Sequence, residues 1–259
     1  MKNCVTINGI PVDAYYHDED VKGIFQPLLE ELGEMHEKKG GRLIVMIAAP
    51  PGAGKSTLVS FLEKLARDVL PGIRVQSAGM DGFHKRQEYL LSHTLTVDGR
   101  EVPMVSVKGA PETFDLEGLA AHVRLAASGE RCGWPGYDRH LHDPVENETL
   151  IDCDILLIEG NYLLLAEKGW DELSGYADFT IFMKADEAML RKRLVDRKEA
   201  SGNTREKAEA FVDFSDMRNV RRCLSGSKKA DMTLRIREDG RFGKISGLGR
   251  RAVWEGINR

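Results

Sequence analysis

The chain has 259 residues, of which 42% are hydrophobic and 30% charged, and its 37 Lys and Arg against 41 Asp and Glu give a formal net charge of −4. Such a chain suits one large α/β domain or one and a half ordinary ones, and its weak negative charge gives no electrostatic reason to expect a nucleic-acid partner. Four scattered cysteines without a C-x-x-C pair argue against a zinc site or a disulfide framework. No apolar run approaches the ~20 residues of a membrane span, and the first residues lack a signal-peptide layout. We therefore expect a cytoplasmic protein with a small-molecule substrate and no membrane or nucleic-acid partner; a homodimer stays open.

The first forty residues predict a β-hairpin followed by a helix. Residues 4–16 alternate around Asn8-Gly9, a dipeptide that readily takes the two φ > 0 positions of a type I′ turn. Residues 18–39 carry apolar side chains at helical spacing and end at two glycines, which is typical of an amphipathic helix with a glycine stop.

The next stretch, residues 42–57 (RLIVMIAAPPGAGKST), predicts a nucleotide-phosphate site. A short β-branched run indicates a buried strand, a loop rich in proline and glycine follows, and helically spaced apolar residues come directly after it. Backbone N–H groups are expected to face the phosphates, with Lys55 reaching the β- and γ-oxygens and Ser56 ligating Mg²⁺. Ala49 stands where the G-x-x-x-x-G-K-[ST] pattern has its first glycine, and the alternative is a chance Gly-Lys-Ser in a loop. The predicted ATP-binding residues of this loop are Pro51, Gly52, Ala53, Gly54, Lys55, Ser56 and Thr57.

The following residues predict a parallel sheet with one inserted hairpin. A second strand at 73–80 ends at Asp81, and we expect it beside the central strand. The β-α-β order implies a parallel sheet, whose ligands gather at the carboxyl ends of its strands. Residues 94–107 predict a hairpin and residues 116–127 a helix, whereas residues 132–145 predict an irregular segment.

The rest of the chain continues the alternation of strands and helices. Predicted strands cover residues 154–160, 177–185 and 232–237, a helix begins at about residue 186, and another covers 205–223. The fold class is therefore α/β, a P-loop NTPase-type parallel sheet sandwiched by helices with small β-hairpin additions. We expect a single domain over residues 1–259, made of an N-terminal hairpin and helix (1–40), a core (41–238) and a C-terminal extension (239–259), whose structure is left open.

Two carboxylates at predicted strand ends are candidates for chemistry. Glu159 follows four apolar strand residues, where a phosphate loop needs a carboxylate to hold Mg²⁺ from the opposite side, so Ser56 and Glu159 are the predicted metal ligands. Asp81 is placed to take a proton from an attacking hydroxyl, or to touch the metal. The alternatives are a solvated loop carboxylate for Glu159 and a turn aspartate for Asp81.

Five segments occur in the order of a known set: APPGAGKST at 49–57, MDGFH at 80–84, KGAPETFD at 108–115, PGYDR at 135–139 and IEGNY at 158–162. With them the chain resembles the uridine kinase, phosphoribulokinase and type I pantothenate kinase family over roughly residues 40–240, and most closely its bacterial members of unassigned substrate. The resemblance implies ATP and Mg²⁺ as cofactors, with Asp81 as the base beside the catalytic Lys55. The substrate-facing residues on this basis are Asp81, Phe83, His84, Lys108, Tyr137 and Arg139.

The helix predicted from residue 186 is rich in arginine, and the resemblance implies that its arginines form a lid over ATP. Arg193 and Arg197 lie four residues apart on one helical face and are our candidates for this lid. A solvated charged face is the alternative, because Asp196 and Glu199 lie among them.

Together these residues predict an ATP-dependent kinase that transfers the γ-phosphate to a hydroxyl of a small metabolite. The cationic or potentially cationic side chains of Arg139, Lys108, His84 and His140 suit an acceptor rich in hydroxyl or phosphate groups. The rings of Tyr137, Phe83 and Trp134 suit a sugar or a base. A sugar or nucleoside is favoured over a pantothenate-like acceptor, because no long apolar groove is legible for a pantoyl chain. The alternatives are a P-loop NTPase acting as a regulatory nucleotide switch and a nucleic-acid-binding ATPase, the latter suggested by the basic last residues.

Overall fold

A six-stranded sheet flanked by helices carries the fold in a computed structural model that describes residues 1–7 and 10–246. The strands are β1 (Lys2–Ile7), β2 (Ile10–Tyr15), β3 (Leu43–Ala48), β4 (Val75–Gly79), β5 (Thr94–Val97), β6 (Arg100–Pro103), β7 (Cys132–Asp138), β8 (Asp143–Ile151), β9 (Ile155–Gly160), β10 (Phe179–Lys184), β11 (Met232–Ile236) and β12 (Phe242–Ser246). The α-helices are α1 (Asp18–Asp20), α2 (Gln26–Lys39), α3 (Lys55–Val69), α4 (Gln87–Ser92), α5 (Leu116–Ala127), α6 (Glu187–Ala200), α7 (Arg205–Phe211) and α8 (Met217–Gly226). Two π-helical turns, Val21–Phe25 and Val212–Asp216, join α1 to α2 and α7 to α8.

The strands of the main sheet follow the order β12-β11-β10-β3-β9-β4. The pairs among β11, β10, β3, β9 and β4 are parallel, and only β12 at one edge runs antiparallel to its neighbour. The predicted P-loop NTPase-type parallel sheet is therefore confirmed. Because parallel strands deliver their carboxyl ends to one edge, the segments that follow β3, β4 and β9 meet there.

The central strand β3 separates two hydrophobic cores. Its side chains point alternately to opposite faces: Val45 and Ile47 join the core under α2, α3 and α6, and Ile44 and Met46 join the core under α5. All six residues of β3 are buried, which explains why the strand is apolar at every position. The loop that follows this strand thus begins at the end of a fully buried strand.

The predicted N-terminal hairpin is confirmed as β1 and β2, which pair antiparallel over their length. Its Asn8-Gly9 turn lies outside the described residues. Tyr16, the residue after β2, stacks on Phe61 of α3 with ring centroids 4.0 Å apart. This contact fixes the hairpin beside the helix that follows the phosphate loop.

Several other predicted elements are also confirmed. The hairpin in residues 94–107 is β5 and β6, and its turn residues Asp98 and Gly99 have φ values of 50° and 75°. The predicted helix at 116–127 coincides with α5, whereas the helix predicted at 205–223 is divided by a π-helical turn.

Among the described residues, every helix is too short or too polar to cross a bilayer.

Two predictions about this architecture are wrong. Strand β4 lies at the sheet edge beside β9, and not beside the central β3, because the crossover through α3 skips a position that the later strand β9 takes. Residues 132–145 are not irregular, since β7 and β8 pair over them as an antiparallel hairpin. Gly133, Pro135 and Gly136 hide its strand pattern, because glycine and proline are depleted in strands.

Candidate active site

The loop between β3 and α3 forms an anion cradle. Gly52 and Gly54 have φ values of 81° and 82°, a left-handed conformation that favours glycine. The N–H of Ala53 donates to the carbonyl oxygen of Pro50 at 3.2 Å and closes the turn. Gly54 directly precedes α3, a helix of 15 residues, so the unpaired N–H groups and positive end of that helix face the loop. The geometry suits bound phosphate oxygens.

A hydroxyl and a carboxylate converge at the start of α3. Glu159 pairs in register with Ile47 of β3, and its Oε1 accepts a hydrogen bond from Ser56 Oγ at 2.5 Å. Lys55 Nζ lies 3.9 Å from the other carboxylate oxygen. Burial raises the pKa of Glu159, although the charge of Lys55 opposes this shift. Oxygen ligands of this kind are what Mg²⁺ prefers, so Ser56 and Glu159 fit the predicted metal site.

Asp81 follows β4 and lies in a short 3₁₀ turn, Met80–Phe83. A Cβ built on Gly79 would lie 3.4 Å from Glu159 Oε1 and 3.9 Å from the backbone nitrogen of Asp81, so the two strand ends adjoin. A Cβ on Gly82 would lie 1.9 Å from the Pro135 carbonyl oxygen. Only glycine therefore allows the turn to pack this closely on β7, which brings two of the five recognised segments together.

The electrostatic surroundings of Asp81 keep it ionised. Burial alone would raise the pKa of Asp81, but the interaction with His84 and the positive charges of Lys55, Arg139 and Arg197 outweigh burial and hold that pKa below its ordinary value. Burial lowers the pKa of His84 from 6.5 to about 4, so this imidazole is neutral at pH 7 and the lysine and arginines supply the permanent charge. An ionised carboxylate here can accept a proton.

Tyr137 of β7 forms a buried wall of the site, with two predicted residues behind it. The His84 ring lies edge-on to Tyr137 with centroids 5.1 Å apart, and Lys108 Nζ lies 5.1 Å from the Tyr137 ring centroid. The ammonium group of Lys108 donates to Gln87 Oε1 and to the His142 carbonyl oxygen, both at 2.8 Å. These contacts hold Lys108 and His84 against the tyrosine.

The two other predicted substrate residues have different environments. Phe83 is buried in the core under α5, edge-on to Trp134 with centroids 5.3 Å apart, so its side chain serves packing. Arg139 is half-buried, and its Nε has no hydrogen-bond partner within the part of the chain that the structure describes. Its positive charge acts to lower the pKa of both Asp81 and Glu159. Arg139 is thus a donor that a ligand could satisfy.

Helix α6 lies over the phosphate loop. Arg193 Nη1 approaches the Gly52 carbonyl oxygen at 3.5 Å, and a Cβ on Gly52 would lie 3.1 Å from Leu194 Cγ. Arg197 is exposed, and its charge lowers the pKa of Asp81. Of the two predicted lid arginines, Arg193 therefore lies against the loop backbone and Arg197 lies within electrostatic reach of Asp81.

Sequence reasoning missed two buried polar residues near Arg197. Asp216 and Ser215 are buried, and Asp216 Oδ2 and Ser215 Oγ have no hydrogen-bond partner among the described residues. Burial raises the pKa of Asp216, against the charges of Lys198 and Arg197. Both residues lie in the π-helical turn Val212–Asp216. A π-helical turn can bury adjacent polar residues, and a 3.6-residue periodicity gives no signal for it.

Taken together, the glycine cradle, the Lys55–Ser56–Glu159 cluster and the overlying arginine helix define a P-loop nucleotide-binding protein of the kinase type. The chain belongs to the family described as the phosphoribulokinase / uridine kinase family, whose model matches residues 44–236. This match confirms the resemblance, and the chain is a P-loop small-molecule kinase. Membership implies the use of ATP and Mg²⁺.

Similar proteins extend the comparison over most of the chain. The Escherichia coli protein YggC, described as uncharacterized, is 40% identical over 243 residues, which are 93% of this chain and 98% of that protein. A candidate uridine kinase of Schizosaccharomyces pombe is 31% identical over 185 residues, 69% of this chain and 77% of the relative. The crystal structure of a candidate fructose transport system kinase from a Silicibacter species has a TM-score of 0.72 at 29% identity, covering 81% of this chain and 98% of that one.

Proposed function

We propose that the protein is an ATP:alcohol phosphotransferase, which transfers the γ-phosphate of ATP to a hydroxyl group of a small metabolite. The observation that carries this proposal is a pair of carboxylates in different environments. Glu159 accepts a hydrogen bond from Ser56, and Asp81 is ionised among positive charges. A nucleotide switch needs the first carboxylate for its metal. It has no use for the second, whereas transfer to a hydroxyl needs a base.

In this proposal the loop from Pro51 to Thr57 binds the phosphates, and Arg193 and Arg197 cover them from α6. Ser56 would hold Mg²⁺ together with the carboxylate of β9, and the ion, when bound, supplies Lewis-acid polarisation of the phosphoryl oxygens. Support comes from the 3.5 Å approach of Arg193 to the loop backbone and from the positive φ values at both loop glycines.

Asp81 accepts the proton of the acceptor hydroxyl while the hydroxyl oxygen bonds to the γ-phosphorus. The bond from that phosphorus to the bridging oxygen breaks, and ADP leaves with the electron pair. Lys55 and Arg139 stabilise the charge on the transferring group, because both are fixed positive charges that act on the two carboxylates.

The acceptor that we favour is a sugar or a nucleoside, ahead of a pantothenate-like molecule. Tyr137 offers an aromatic wall for a ring, and the unpaired Nε of Arg139 offers a donor. Lys108 and His84 act behind Tyr137 as supports. Two relatives are named as a candidate uridine kinase and a candidate fructose transport system kinase, and others, 27–29% identical, are named pantothenate kinases, so the choice rests on the residues of the site.

ADP release with uridine, fructose, pantothenate or glycerate, each against a no-acceptor background, tests the proposal. We expect one of the four to raise ADP release at least about tenfold, and Lys55→Ala, folded by circular dichroism, to abolish the increase, because Lys55 meets phosphate charge and does not pack in a core. A low ADP release that every acceptor leaves unchanged would contradict the transferase and favour the nucleotide switch. Lys64→Ala, on the exposed face of the same helix, is the matched control.

A further inference from the structure

A cavity of about 470 Å³ lies between hairpin β1–β2, helix α3 and hairpin β7–β8. Hairpin β1–β2 contributes Val5 and Thr6, and α3 contributes Ser60. The volume falls within the roughly 300–1,000 Å³ typical of small-molecule sites. The N-terminal hairpin lies before the residues matched by the family model, 44–236. This wall of the cavity therefore lies outside the residues that the family model matches.

The cavity reaches the catalytic centre at its inner end. Ser56, Glu159 and Gly79 all line it, and Gly79 is the residue whose built Cβ would lie 3.9 Å from the backbone nitrogen of Asp81. Tyr137, which His84 and Lys108 support from behind, also lines the cavity. A molecule in this space would have one end beside the metal ligands and the base.

The polar side chains along the cavity are hydroxyls, carboxylates and the imidazole of His140. Among the described residues that line it there is no lysine or arginine, while Asp138, Glu148 and Glu159 supply carboxylates. The backbone N–H groups of Leu141 and His140 donate to Asp138 and hold its pKa below the ordinary value, so Asp138 is ionised at neutral pH.

The Glu148 side chain occupies space left by a glycine on the opposite strand. A Cβ built on Gly136 would lie only 1.3 Å from Glu148 Oε2, so this side chain occupies space that any other residue at 136 would fill. Hydroxyls and carboxylates are the partners that sugar hydroxyls need. The same carboxylates repel phosphate and carboxylate groups at this distance.

We propose that this cavity is the acceptor subsite and that it takes an uncharged, hydroxyl-rich molecule, a free sugar or a nucleoside, in preference to a phosphate ester or a hydroxy acid. The inference rests on the proposed kinase function and deepens it. Of the positive charges of the site, Lys55, Arg193 and Arg197 lie on the phosphate-loop side and serve the nucleotide, and Arg139, whose charge acts on both Asp81 and Glu159, is not among the residues that line the cavity. Charge thus separates the two substrates.

Filling the cavity from α3 tests its use. Ser60→Leu places a large apolar side chain into it, so we expect the acceptor KM to rise at least about tenfold while the KM for MgATP stays within twofold. Ser60→Ala keeps the space, and Lys64→Leu puts the same side chain on the exposed face of the same helix; both should match the wild type. An acceptor KM within twofold of the wild type in folded Ser60→Leu would overturn the assignment.

Matched pairs of acceptors test the charge. Uridine against UMP, and fructose against fructose 6-phosphate, should differ at least about tenfold in kcat/KM in favour of the uncharged member. Glu148→Lys, on the cavity wall and outside the proposed transfer machinery, should shrink this preference several-fold. A phosphate ester that is the better substrate would overturn the proposal.

Calorimetry with Mg-ADP present separates this inference from the kinase proposal. If no acceptor raises ADP release, the transferase fails, but binding of uridine or fructose that is lost in Ser60→Leu would still support the cavity as their site. Absence of binding for both uncharged compounds in the wild type would overturn the cavity assignment, whatever the turnover.

Discussion

Replacing Asp81 by asparagine separates proton acceptance from every other role of this residue. Asp81→Asn keeps the shape of the side chain at the strand end and removes its basicity. A positioned general base contributes about 10²–10⁴-fold. Because neighbouring positive charges hold the pKa of Asp81 below its ordinary value, it is a weak base, and we expect the lower part of that range, a fall in kcat of about 10²–10³-fold. This corresponds to about 3–4 kcal/mol of activation free energy.

The same charges determine what should happen to nucleotide binding. Lys55, Arg139 and Arg197 lose one negative neighbour in Asp81→Asn, so they should bind the phosphates of MgATP as tightly as in the wild type or more tightly. The assay is coupled ADP release with the best acceptor of the panel, together with calorimetric titration of a non-hydrolysable ATP analogue. Asp68→Asn, on the exposed face of α3, controls for the loss of one carboxylate.

Two results would refute this reasoning. A kcat within threefold of the wild type would show that Asp81 accepts no proton in the rate-limiting step. A loss of nucleotide affinity of tenfold or more, with kcat only mildly lowered, would place Asp81 among the metal ligands. A thermal unfolding midpoint close to that of the wild type is needed for either reading.

Three further predictions follow from the geometry. Glu159→Gln should raise the half-saturating Mg²⁺ concentration at least about tenfold, and full wild-type activity in excess chelator would contradict the metal site. Gly52→Ala should weaken MgATP binding and lower the free energy of unfolding by about 1–2 kcal/mol, because φ is +81° and the new Cβ would lie 3.1 Å from a leucine of α6. The control is Gly72→Ala, where φ is +93° and the space around the new Cβ is open. This variant should show the backbone strain alone and bind MgATP normally. Burial lowers the pKa of His84 from 6.5 to about 4 in the folded state, so the unfolded state binds more protons between these pH values. The free energy of unfolding should therefore fall as the pH drops from 6.5 to 4, by at most about 3 kcal/mol. Urea titrations of His84→Gln should show a flatter pH dependence than those of the wild type.

The phosphate loop and its flanking elements could be predicted because their determinants are local. Positive φ at Gly52 and Gly54, a buried strand before them and an amphipathic helix after them are properties of about 27 consecutive residues, from Leu43 to Val69. The predicted strand ending in Glu159 is of the same kind, since a charge after an apolar run marks a strand end at the edge of a core.

The features that escaped prediction depend on contacts between distant residues. The strand pattern of β7 is hidden because Gly136 makes room for the Glu148 side chain of β8, and this need arises only when the two strands pair. Asp216 is buried through a π-helical turn, whose extra residue breaks the helical period used to read the sequence. The apolar spacing within either segment therefore does not predict these contacts.

The order of strands has a consequence for the chemistry. With β9 between β3 and β4, Glu159 adjoins the phosphate loop and Asp81 lies one strand further away, which adds roughly 4.8 Å in the plane of the sheet. Had β4 been the neighbour of β3, Asp81 would have lain against the loop, where a carboxylate serves as a metal ligand. Its actual position separates the two carboxylates by one strand, and the cavity under the N-terminal hairpin reaches the same edge of the sheet at Gly79 and Glu159. The edge position of β4 therefore favours Asp81 as the base over Asp81 as a second metal ligand.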